Sequence, residues 1–252
     1  MRVDLNADVG ESFGAHLIGC DAGLMKAITS ANIAAGFHGG DPSVLRDTVR
    51  LAKQHGVAVG AHPGFADLAG FGRREMRLTA REAEDLVLYQ IAAVAGVAAA
   101  EGVRLRHVKP HGALYNMAAR DGVLAGAIAR AAAAVDRSLI VFGLPNSELL
   151  KAARAAGLRT SAEGFADRAY EPDGSLMSRR KQNAVLQDPE AVIARALRLV
   201  KAHAVVASDG TPLTLHIDTL CVHGDTPGAD ELATRLRRGL EAAGVTVQAM
   251  TD

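Results

Sequence analysis

The chain has 252 residues, and its 28 Lys and Arg balance 28 Asp and Glu, leaving no formal net charge with histidine neutral. That balance offers no long-range field to nucleic acid or an anionic membrane, and six Phe, three Tyr and no Trp leave no basic stripe interleaved with aromatics. Cys20 and Cys221 form neither a disulfide framework nor a CxxC zinc knuckle, the N-terminus lacks a signal-like apolar region and no stretch reaches membrane-span length, so a cytoplasmic protein is expected.

In chain order, strand-like runs fall at 2–6, 30–35, 57–61, 104–109, 138–142, 159–163 and 213–222. Amphipathic helical patterns occupy 22–28, 42–55, 80–101, 121–135, 147–156, 189–202 and 229–243, and a short apolar run closes the chain at 245–250. Local signals agree with these limits. Asp41-Pro42 and Asp188-Pro189 each supply a cap and a first-turn proline, and Thr79 with Glu82 matches a capping box. Gly56, Gly102, Gly157 and Gly244 stand where left-handed caps are expected. Strand and helix alternating at this rhythm predict an α/β fold with a parallel sheet and right-handed crossovers. Seven or eight such units close most simply as a TIM-like (β/α) barrel over 1–252, with an open doubly wound sheet as the alternative. The segment 164–187 reads as a long loop with few apolar anchors, a candidate lid or partner-docking element.

Four apolar runs end in polar clusters: VDLNADVGE, IAAGFHGGD, VAVGAHPGF and VKPHGALYN. A buried strand has no structural use for Asp, His or Lys at its exit, whereas α/β folds bind ligands beyond the carboxyl ends of their strands. Asn6, Asp8 and Glu11 follow the first run. Taken alone, an Asp there would cap the next element; two carboxylates beside an amide suit cation binding or acid–base work. His38 and His62 sit among glycines one βα unit apart, and with Asp8 they have the composition of a metal triad, though no HxxxH or HExxH spacing backs it. Lys109 and His111, two apart, can share a face of the barrel mouth. A lysine among apolar neighbours is paired, snorkelling or tuned for chemistry. Tyr115 and Asn116 offer nearby donors; Glu163 and Asp167 mark the sixth exit, and His223 and Asp225 the last. His216 and Asp218 read as satisfied barrel-interior groups, and His16, His55, His107 and His203 as surface or packing residues. No phosphate loop, dinucleotide fingerprint or serine elbow is present.

Together NADVGESFG, SANIAAGFHGGDP, GVAVGAHPGFADLAGFGRR, VKPHGALYN, AEGFADRAY, SLMSRR and CVHGD resemble the LamB/YcsF family, the family of 5-oxoprolinase A subunits, essentially end to end. The resemblance implies a barrel related to the polysaccharide-deacetylase type, with seven strands. It also implies ATP-dependent opening of 5-oxo-L-proline to L-glutamate, with Mg2+ and two partners, the B and C subunits of 5-oxoprolinase. On that scheme Asp8 or Glu163 is the base, and His38 and His62 position water or hold a divalent metal with Asp8. Lys109, helped by His111, neutralises developing charge. Arg73, Arg74, Arg179 or Arg180 clamps a carboxylate or phosphate, and Asn6, Glu11 and Asn116 complete the substrate contacts. Lys109→Met is expected to abolish turnover with folding intact. Two other readings stay open: a metal-dependent deacetylase or amidohydrolase acting alone, and a non-catalytic assembly protein.

Overall fold

Alternation along the first strand sets the architecture. In β1 (Arg2–Val9), Val3, Leu5, Ala7 and Val9 are buried on one face, while Asp4, Asn6 and Asp8 occupy the other. The computed structural model describes residues 1–179, 181–186, 188–222 and 228–250. Among them β1 pairs in parallel with β2 (Ser30–Ala34), followed in order by β3 (Ala58–His62), β4 (Leu105–Val108), β5 (Ile140–Gly143) and β6 (Arg159–Phe165). Next, β6 pairs with β9 (Thr219–Val222), which returns to β1 and closes a seven-stranded parallel barrel. The open-sheet alternative is thereby overturned. The final strand β10 (Thr246–Val247) adds to β1 outside the ring.

Two sequence readings need correction here. The first strand runs on to Val9, so Asn6 and Asp8 lie within it and only Glu11 lies beyond its end. The polar alternation that looked like a strand exit is a barrel interior, where Asp4 accepts from Ser30 (2.7 Å), Thr29 (2.7 Å) and Thr219 (2.5 Å). The run 213–222 is divided: β8 (Pro212–Thr214) forms an antiparallel hairpin with β7 (Ala204–Val206), and β9 begins at Thr219. His216 and Asp218 lie between the two and are not interior: His216 is exposed, and the Asp218 carboxylate accepts from Ala162 N.

The shell comprises α1 (Asp21–Leu24), α2 (Pro42–His55), α3 (Ala80–Ala100), α4 (Gly112–Ala118), α5 (Gly122–Val135), α6 (Glu148–Ala155), α7 (Pro189–Ala202) and α8 (Ala229–Ala242). Asp41 caps α2 by accepting from Ser43 N and Val44 N, and Gly56 ends it at φ 67°. The expected capping box opens α3. With 21 residues and a mean hydropathy of 1.4 in its most apolar window, α3 does reach membrane-span length and composition, against the sequence expectation. It packs through Val87, Ile91, Val94 and Ala98 against α2, α5, β3 and β4, as a core helix does. The unforeseen α4 begins after His111, whose side chain makes no cap bond to it, and is too short to show helical periodicity.

The segment after β6 is better anchored than its sequence suggested. Tyr170 is fully buried, and its hydroxyl accepts from Phe165 N at 2.7 Å. Bridges Arg168–Val185 and Tyr170–Leu176 fold the loop on itself, and its Arg168, Leu176, Met177, Arg179 and Lys181 line the barrel mouth.

Candidate active site

Several strand ends contribute to one cavity of about 680 Å³ at the carboxyl end of the barrel. On one side Glu11, His38, His62 and His111 place a ligating atom each within 4.8 Å of one another, all buried. Their glycine neighbours make this packing feasible. A Cβ on Gly64 would stand 2.5 Å from His38 Nδ1, and one on Gly72, at φ +63°, would stand 2.8 Å from both His38 and His111. The His38 and His111 rings stack at 3.8 Å, nearly parallel, with His62 edge-on to both.

The tautomers follow from the carbonyls these rings meet. His62 Nδ1 is 2.7 Å from Lys109 O, and His111 Nε2 is 2.8 Å from Phe71 O; a carbonyl only accepts, so those nitrogens carry the protons. Burial, with His38 and His62 adding like charge, holds the His111 pKa well below the ordinary histidine value, so the ring is neutral. His111 Nδ1, left with a bare lone pair, then faces His62 Nε2 at 2.9 Å. Among the described residues the buried His38 has no hydrogen-bond partner at either nitrogen, and Glu11 Oε1 lies 3.4 Å from both His38 Nε2 and His111 Nδ1. Buried ring nitrogens left without a partner, as on His38, are costly, and a cation among these rings would offset that cost. Three imidazoles and a carboxylate suit Zn2+ or a similar divalent ion, so the residues fit a metal centre. The sequence had grouped Asp8, His38 and His62; the structure adds Glu11 and His111 and sets Asp8 at the edge, its Oδ2 3.3 Å from His62 Nε2.

Asp8 belongs equally to a second group. Its Oδ1 accepts from Lys109 Nζ (2.8 Å) and Asn32 Nδ2 (2.8 Å). Lys109 Nζ also lies 2.9 Å from Glu163 Oε1, 3.0 Å from Cys221 Sγ and 3.2 Å from Asn6 Oδ1. Burial opposes the ammonium, but its anionic neighbours, Asp8 foremost, override that and hold its pKa well above the usual lysine value. Asn6 is an interior strut, joined to Thr219, Asn32 and Lys109. Tyr115 lies against Glu163, and burial pushes its phenol pKa well up.

Arg73, Arg74, Asn116 and Arg179 line the outer cavity, and Arg74 is ion-paired with Asp67. Asn116 is exposed and donates to Gly112 O. Arg180, His223 and Asp225 lie outside the described residues. Sequence reasoning passed over Gln90, whose amide clamps Gly64 N and Gly64 O at 2.9 Å each, and which a lone polar residue on the apolar face of α3 could have signalled. His107 is the packing residue expected, buried inside the barrel, bonded to Asn32 (2.8 Å) and stacked on Phe142; burial lowers its pKa to about 3.

A family model described as the LamB/YcsF family matches residues 3–252. Relatives named as the A subunit of 5-oxoprolinase include one from Chloroflexus aggregans, 56% identical over 98% of each chain, and one from Bacillus licheniformis, 53% identical over 99% of each. A lactam utilization protein from Thermus thermophilus superposes with a TM-score of 0.94 at 50% identity, covering 99% of this chain and 100% of that one. A family 4 carbohydrate esterase from Streptomyces lividans superposes with a TM-score of 0.50 at 13% identity, covering 99% of this chain and 93% of the other, a likeness of fold alone. The strand-end clusters thus lie in a chain that matches one family model from its third residue to its last, and the chain belongs to the LamB/YcsF family.

Proposed function

We propose that this chain opens the ring of 5-oxo-L-proline to give L-glutamate, as the A component of an ATP-dependent assembly with B and C partner subunits. The observation that carries this reading is that the imidazole cluster and the Asp8–Lys109–Glu163 group meet at Asp8, which lines the cavity, in a chain whose full-length relatives are named as the A subunit of 5-oxoprolinase. Glu11, His38, His62 and His111 would hold a divalent ion, which when bound supplies Lewis-acid polarisation and a lower water pKa. Asp8 Oδ2 faces the cluster and is the base positioned to take a proton from attacking water, while Lys109 and Asn32 fix its other oxygen. Lys109 also carries positive charge to the site, and Glu163 with Tyr115 lies behind it. The arginines of the outer cavity suit the substrate carboxylate.

An unstrained five-membered lactam resists hydrolysis, which gives a reason for coupling to ATP. Lacking a recognised phosphate loop, this chain takes the hydrolytic half, and the partners supply activation by ATP and Mg2+. ATP use places the assembly in the cytoplasm. The imidazole cluster favours one other reading, a metal-dependent amidohydrolase acting alone. Glutamate release from 5-oxo-L-proline, with and without ATP, the B and C partners, and Zn2+, separates the two. Release only with ATP and both partners is expected; turnover by this chain and metal alone would select the second reading. Full reconstituted activity in an Asp8→Asn, His62→Ala variant would reduce the chain to a non-catalytic assembly role.

A further inference from the structure

We propose that Phe71 is a positioning residue for the imidazole cluster, fixing the His111 tautomer through its carbonyl and the orientation of the stacked His38 and His111 rings through its side chain. The inference rests on the metal centre of the functional reading above and names a residue that reading does not use. Phe71 follows the single helical turn Leu68–Gly70 and takes a left-handed conformation, φ 54° and ψ 38°. Glycine is the usual occupant of such a position, and a bulky side chain there crowds its own backbone. Gly70 and Gly72 stand on either side, yet the strained position itself carries a phenyl ring. Strain of this kind persists where the surrounding structure over-determines it, and it collects at sites that use it.

Hydrogen bonds on both sides hold the turn. The carboxylate of buried Asp67 accepts from Gly70 N at 3.0 Å and from Arg74 Nε at 2.9 Å, and its backbone carbonyl accepts from Gly72 N at 2.9 Å. Gly72 O in turn accepts from Ala113 N at 3.0 Å, which ties the loop to the start of α4 beside His111. Phe71 O is thereby turned toward His111, whose Nε2 donates to it at 2.8 Å and whose Nδ1 is left facing His62 and Glu11. A metal-ligating histidine is oriented by just such a partner on its other nitrogen. The ring has a separate part. It lies nearly perpendicular to the His111 ring at 5.2 Å and to the His38 ring at 5.9 Å, so one side chain braces both members of the stacked pair. The Arg73 guanidinium sits 4.9 Å over the same ring. Phe71→Gly would keep the turn and the carbonyl and lose all three ring contacts.

That variant is the test, read by calorimetry of the full metal-free chain with Zn2+ alone. Affinity is expected to fall about tenfold or more, the usual cost of losing a group that orients a metal ligand. The urea midpoint of the metal-free variant should hold, because relief of the left-handed strain offsets the lost ring contacts. Phe71→Tyr, which keeps the ring, should restore the native Zn2+ affinity and the native visible spectrum of the Co2+-loaded chain. Native Zn2+ affinity in Phe71→Gly would overturn the proposal. So would an affinity loss matched by a fall in the urea midpoint, since that marks a residue that only packs the loop. Should Phe71→Gly fail to fold, Phe71→Leu keeps bulk and removes the aromatic edge, and unchanged Zn2+ affinity there overturns the positioning role. A native chain that takes up no Zn2+ would remove the metal centre and this inference with it. Weakened Zn2+ binding in Phe71→Gly, in a protein whose complex forms no glutamate, would refute the lactam reading and leave the role of Phe71 standing.

Discussion

Lys109 joins two carboxylates that would otherwise be buried side by side. The expectation that Lys109→Met spares folding therefore changes. Removing the ammonium strands Asp8 and Glu163 together, and breaking a buried charge network in this way costs about 3–5 kcal/mol. Lys109→Met should lower the urea midpoint accordingly, and adding Glu163→Gln should recover part of the loss, because one of the stranded charges is gone. A double-mutant cycle measured by urea unfolding checks the coupling, and additive effects would refute it. Residue type and spacing pointed to Asp8, His38, His62 and Lys109. They did not show that Glu11 and His111 close the imidazole cluster, since those contacts join the β1, β2 and β3 exits and the start of α4.

At the scale of elements, α3 does more than cover the barrel. Gln90 reaches from its buried face to the peptide groups of Gly64, two residues beyond His62, and satisfies both its N–H and its carbonyl. Gln90→Leu keeps the apolar volume and leaves those two groups unpaired, a loss of about 1–3 kcal/mol for each buried group. Metal affinity should fall with it, because Gly64 packs directly on His38. Zn2+ titration of the folded variant measures this; unaltered affinity would confine Gln90 to stability. Most helices were legible because their ends carry local chemistry, as Asp41, Thr79 and Asp188 show. In the 213–222 run the apolar residues hid the break between β8 and β9, although Asp209-Gly210 carries the turn signal for the hairpin that joins β7 to β8.

Across the whole molecule, the outer helices are tied as well as packed. Glu101, at the end of α3, accepts from Arg46 Nε (2.5 Å) and Arg50 Nε (3.0 Å) of α2. The Arg50 hydrogen bond, followed by that from Arg46, lowers its pKa from 4.5 to about 2. A depressed carboxylate pKa means the folded chain binds its proton less readily than the unfolded one. The contribution is therefore whole above pH 4.5 and is lost as pH falls to about 2. Glu101→Gln should lower Tm at pH 7, and its difference from the native chain should shrink across that window. A difference independent of pH would show that the ion pair does not stabilise the helix pair.

By itself the sequence determined the βα rhythm, the barrel class, the helix caps and the strand ends at which polar residues gather, because each is written in local periodicity and turn chemistry. Only the tertiary structure decided that Asp4, Asn6 and Asp8 share the barrel interior, that Lys109 spans Asp8 and Glu163, and that nitrogens of two imidazoles meet at 2.9 Å. Those facts depend on barrel closure, which brings residues as far apart in sequence as Asp8 and Lys109 to a contact of 2.8 Å.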